Sequence, residues 1–156
     1  MSATSNDAQL ILQLYDLRRE AVMRNAREFV GLKFWPTKAE EVLTVMQGFG
    51  TQESAYLRQV ISYWEMATAL VNHGTINSAL FADCVGEAVF IYAKFHPFLA
   101  EIRETMNPDF MKQVEQYIQS SPVAKANLER TLPRIAEWTK GAKEAAHKAK
   151  KEAAAD

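Results

Sequence analysis

Apolar residues recur at three- and four-residue steps along most of this chain, and no stretch of useful length alternates as a strand would. Asn6 with Gln9 three residues on has the form of a capping box. From there Leu10, Leu14, Leu17 and Ala21 follow one stripe, and Ile11, Tyr15, Val22, Ala26 and Phe29 an adjacent one. This predicts one helix ending at Gly31, a natural C-terminal stop. Pro36 bars continuation. Thr37 with Glu40 makes a second capping box, opening a short helix that runs to Gln47 and closes at Gly48. Phe49, in the tight Gly48-Phe49-Gly50 corner, is expected to plug into the core. Thr51 caps the next helix, where Leu57, Val60, Ile61, Trp64, Thr68 and Val71 keep strict helical spacing up to a stop at Gly74.

After a short loop, Leu80, Cys84, Ala88, Ile91 and Phe95 line one face of another helix, with Phe81, Val85, Val89 and Tyr92 beside it. The short loop makes residues 51–74 and 77–95 antiparallel neighbours, a central hairpin. Gly86 falls inside the second arm, where it costs about 1 kcal/mol relative to alanine; close approach of another helix would explain it. Pro97 predicts a kink or restart. Asn107-Pro108 and Ser121-Pro122 each pair a cap with a first-position proline, and Pro133 predicts a further kink. Beyond Trp138 the composition turns to Ala, Lys and Glu, with helix propensity but nothing large to bury. The expectation is an all-α, irregular single-domain bundle of about six or seven helices. It covers residues 1–140 and is followed by a frayed, solvent-exposed helical tail over 141–156.

Composition narrows the function classes. A chain of 156 residues, 48% hydrophobic and 24% charged, can bury a sufficient core without disulfides or a structural metal. A net charge of −1 argues against nucleic-acid binding by the whole domain. Cys84 is the only cysteine, which excludes an intrachain disulfide and fits a reducing, cytoplasmic setting. No signal peptide is expected. The longest charge-free run, residues 66–82, is broken by Asn72, His73, Gly74, Asn77 and Ser78, so no transmembrane segment is expected either.

No glycine-rich phosphate loop, nucleophile elbow, Cys-x-x-Cys or His-Glu-x-x-His motif is present, and the two Glu-x-x-His pairs of a di-iron bundle are absent. The polar candidates are Glu65 beside Trp64, the Asp83–Glu87 pair at four-residue spacing, and His73 and His96. Brought together, they would form a carboxylate–imidazole crevice for a small ligand or metal. The plainer reading makes Asp83 and Glu87 the solvated side of a helix and His73 part of a C-terminal cap, with no metal and no cofactor expected. Cys84 lies on the apolar stripe, which predicts a buried structural thiol. Arg18, Arg19, Arg24 and Arg27, interleaved with Asp16, Glu20 and Glu28, read as ion pairs on a solvated face, Glu20–Arg24 the best oriented. In the tail, Lys140, Lys143, His147, Lys150 and Lys151 share one helical face, enough for weak, salt-sensitive contact with polyanions but not for specific nucleic-acid recognition.

Several stretches carry a resemblance. These are Arg58-Gln59-Val60-Ile61-Ser62-Tyr63-Trp64-Glu65-Met66, then Ala69 to Asn77 around Gly74, then a helix through Tyr92 to His96-Pro97 with Arg103 beyond. Together with Leu14-Tyr15 and Met23-Arg24-Asn25-Ala26-Arg27, this pattern resembles the bacterial DUF4760-type family over residues 10–105. The resemblance implies an all-helical fold and membrane segments in many members, from which this chain departs. It implies no activity and no catalytic residues. The leading expectation is a non-catalytic helical module acting through protein–protein contact, self-association included. The alternative is a small-ligand or metal-binding domain, an enzyme included. A deep pocket lined by Glu65 would favour the alternative, and an extended exposed apolar patch the leading reading.

Overall fold

A computed structural model describes residues 2–153, and all regular structure among them is helical. Met1 and residues 154–156, at the ends of the two segments assigned from sequence, lie outside the described residues. Helix α1 (Ser5–Arg19) is capped by Thr4 rather than by Asn6. The Thr4 hydroxyl accepts the Asp7 N–H, and the Asp7 carboxylate accepts the Thr4 N–H at 2.7 Å. That carboxylate also accepts the Asn77 N–H at 2.6 Å, tying the start of the chain to the loop after Gly74. The predicted long first helix breaks at Glu20, whose ψ of 141° is extended. Its side chain then caps α2 (Ala21–Glu28) by accepting the Met23 N–H at 2.9 Å. Gly31 is no stop: the backbone widens into a π-turn over Phe29–Lys33, closed by Phe34 N–H on the Phe29 carbonyl.

Helix α3 (Ala39–Gln47) starts one residue later than its predicted box would place it, because Thr37 bonds Glu41 and not Glu40. Helix α4 (Gln52–Asn72) follows its sequence pattern, with the Thr51 hydroxyl accepting the Ser54 N–H. At its end Gly74 takes φ +73°, a left-handed conformation that glycine adopts without strain. The next predicted helix is divided. Helices α5 (Ser78–Cys84) and α6 (Glu87–Phe95) are separated by an extended, buried Val85 and by Gly86, which serves as the cap of α6. A Cβ on Gly86 would meet only the Asn127 amide at 3.8 Å, so close helix approach is not what places glycine there. The break also leaves Cys84 exposed instead of on a buried stripe.

Pro97 lies in a 3-10 turn (His96–Phe98), after which α7 (Leu99–Thr105) restarts, as expected. Asn107 caps only a turn, accepting the Asp109 N–H at 3.0 Å. Helix α8 (Lys112–Ser120) begins after Met111, which is fully buried and left-handed at φ 56°. Ser121 caps α9 (Pro122–Ala153), which continues through Pro133 and out along an exposed tail.

Helix α4 is flanked by α8 and α2, while α6 packs on α9 and α8, so the predicted hairpin is not the frame of the core. Trp64 is 1% exposed, with the Tyr63 ring edge-on at 4.8 Å and the Arg18 guanidinium over it at 5.2 Å. The Tyr63 hydroxyl donates to the Leu14 carbonyl at 2.6 Å. Phe49 is not a plug: it is 69% exposed and lies under the Arg58 guanidinium. Among the described residues no helix is long and apolar enough to cross a membrane.

Candidate functional site

Helix α6 carries Glu87, Phe90, Ile91 and Lys94 at steps of three and four, so all four share one face, turned toward α1, α2 and the π-turn. Arg18 donates to the Glu87 carboxylate at 2.6 Å, and Arg27 donates to it through Nε at 2.8 Å and through Nη2. Burial alone would push the Glu87 carboxyl up, but the Arg27 and Arg18 guanidinium groups outweigh it and hold the group below the usual carboxylate range. Of the four arginines expected to form ion pairs on a solvated face, Arg18 and Arg27 instead join Glu87 in a largely buried triad across three helices.

Lys94 on the same face is not among the candidates that sequence spacing offers. It is 3% exposed, and its ammonium donates to the carbonyls of Val30 at 2.5 Å and Gly31 at 3.1 Å. The π-turn is what turns these two carbonyls inward. The Trp35 ring lies 3.8 Å from Nζ, and no carboxylate pairs with it among the described residues. Burial pushes this amine down to about 7, while the two carbonyls and the aromatic face favour the charged form. Its one sequence signal is a single cation inside the apolar run from Ala88 to Phe95.

Above Lys94 lies an aromatic surface. Trp35 meets Phe90 and Trp138 edge-on at 6.4 and 6.5 Å, Phe90 and Trp138 are 6.1 Å apart, and the Trp35 indole donates to the Leu32 carbonyl at 2.8 Å. Leu32 is 70% exposed and Trp138 46%. Beside them a cavity of about 280 Å³ is lined by Arg24, Arg27, Glu28, Gly31, Leu32, Glu87, Phe90 and Ile91.

The proposed carboxylate–imidazole crevice does not assemble. Glu65 faces the start of α8, where its carboxylate accepts the Val114 and Gln113 N–H groups at 3.1 and 3.4 Å. Burial raises its carboxyl above the usual range. Asp83 ends up exposed at the end of α5, separated by the Val85-Gly86 break from Glu87 on α6. His73 is an exposed C-cap of α4, matching the plainer reading. His96 is exposed, with its ring against Tyr92, whose hydroxyl donates to Glu115 at 2.8 Å. Among the described residues no three His, Cys, Asp or Glu side chains come together in a way that could hold a metal ion. Glu65 does border a second concavity of about 500 Å³, walled by Met46, Leu57, Ile61 and Phe110 with Arg58 and Asn107 alongside.

No curated protein and no solved structure matches the chain. Residues 3–121, from the cap region of α1 to the cap of α9, match a domain of unknown function, DUF4760, and the chain belongs to that family.

Proposed function

We propose that this chain is a non-catalytic helical module that works by protein contact, through the surface where Trp35, just past the π-turn, meets Trp138 of α9. The supporting observation is the cluster of Leu32, Trp35, Phe90 and Trp138 beside Arg24 and Arg27. Single exposed apolar side chains are ordinary, but two tryptophans grouped with Phe90 and Leu32 beside an arginine-lined cavity have the composition of binding hot spots. The polar groups beneath this surface are already engaged internally. Glu87 holds two arginines and Lys94 two carbonyls, which suits ties that stiffen a surface better than groups waiting for a substrate. A cytoplasmic setting suits the exposed Cys84 thiol, which persists best under reducing conditions. The test is a photo-crosslinking amino acid at position 32, with exposed Ala100 on α7 as the control. A discrete adduct from position 32 alone supports the reading; none, or equal labelling at both positions, removes it.

A second reading is favoured by the Glu65 concavity. Its volume falls within the span of small-molecule sites, about 300 to 1,000 Å³, and it combines apolar walls with one half-buried carboxyl. The ligand would be a compact apolar molecule with a hydrogen-bond donor for Glu65. Ile61→Trp, which fills the groove, should then abolish thermal stabilisation by hydrophobic amines that stabilise the unmodified chain.

A further inference from the structure

We propose that the occupant of the aromatic surface is a second copy of this chain, related by a two-fold axis, with Leu32 of each copy seated in the other's cavity beside Phe90. This rests on the contact reading above and names its partner. In a two-fold contact one patch meets itself, so the patch must carry its own complement: a knob beside a hole, and each charge beside its opposite.

Both conditions are met within a few residues. Leu32 projects from the π-turn and stands on the rim of the adjoining cavity. At about 280 Å³ the cavity lies just under the range of small-molecule sites, roughly 300 to 1,000 Å³, and suits an inserted side chain. Gly31 contributes no side chain to its wall, and Phe90 and Ile91 supply an apolar lining.

The charges repeat the pattern. Arg24 and Glu28 are one turn apart on α2, and both line the cavity. Arg27 is committed to Glu87, but Arg24 forms no ion pair among the described residues. Glu28 has only an exposed pair with Lys33 at 2.8 Å, which is easily exchanged. Under a two-fold axis, Arg24 of one copy meets Glu28 of the other, twice. A foreign partner would have to supply knob, hole and both charges separately, whereas a second copy brings all of them.

Sedimentation velocity of the full chain across the micromolar range tests this, with far-UV melting curves confirming that each variant is folded. The unmodified chain should dimerise with concentration, and Leu32→Asp should weaken the dimer by at least about tenfold. Arg24→Glu and Glu28→Arg should each weaken it roughly tenfold, since each sets like charges against one another twice. The two substitutions in one chain should restore association to within about threefold, and mixing the two single variants should give a heterodimer. A chain that stays monomeric, a dimer indifferent to these changes, or a double variant without rescue overturns the proposal. A monomeric chain whose position-32 crosslink captures a protein of different mass overturns the second copy and leaves the contact reading standing. The absence of any crosslink removes both.

Discussion

Lys94 is a buried amine held by two backbone carbonyls and the face of a tryptophan, with no carboxylate partner among the described residues. Its amine falls from the usual 10.5 to about 7, so at pH values between these the unfolded chain holds a proton that the native chain has lost. Stability then rises with pH, by at most about 1.4 kcal/mol per unit. The urea midpoint of the native chain should therefore climb relative to Lys94→Met between neutral and pH 9, and a constant difference would contradict this. Glu87 has the opposite sign. Its carboxyl is held low, so its contribution is present at neutral pH and fades as pH falls through its native pKa. Glu87→Gln leaves Arg18 and Arg27 without their charge partner and should cost about 3 kcal/mol near neutral pH, with the deficit shrinking in acid. Trp64→Ala empties a fully buried site and should cost about 3–5 kcal/mol. Trp64→Phe should cost much less, since the indole N–H it removes has no hydrogen-bond partner among the described residues. An unchanged urea midpoint in Trp64→Ala would place that face of α4 outside the core.

At the scale of elements, two glycines separate local from long-range causes. Gly74 ends α4 at φ +73°, so Gly74→Ala should lower stability by about 1 kcal/mol through strain alone. Gly86 has φ −98°, and a Cβ there would meet only the Asn127 amide at ordinary contact distance, so Gly86→Ala should be nearly neutral in the same thermal unfolding measurement. Equal losses at the two positions would contradict the division at Val85-Gly86. The π-turn is the least regular of the elements, and it is also where Lys94, Trp35 and Leu32 converge. Its inward carbonyls hold the ammonium while its outer side presents Leu32, so one backbone distortion links the buried cation to the exposed surface.

At the scale of the whole molecule, α9 is anchored through Ala124, Ile135 and the Trp138 contacts, then continues as an exposed helix with no side chain larger than alanine to bury. Deleting residues 142–156 should shift the melting temperature by less than about 2 °C. Amides beyond Gly141 should exchange rapidly while those of α4 stay protected. A large loss on truncation, or slow exchange in the tail, would mean that the alanine face docks on the domain. The all-helical class, the limits of α4, the Thr51 and Ser121 caps and the restart at Pro97 were determined by sequence alone. Periodicity over three or more turns, a side-chain oxygen three residues from an amide, and a proline ring all act within a few residues. The breaks at Glu20 and Val85-Gly86, the exposure of Phe49 and Cys84, and the fates of Glu65, Glu87 and Lys94 were decided only by tertiary structure. Glu87 meets its arginines 60 and 69 residues away in the chain, Lys94 its carbonyls 63 and 64 away, and Glu65 its amides 48 and 49 away. A helical face shows which residues point the same way; what they point at depends on which helix is packed opposite, and no local spacing encodes that.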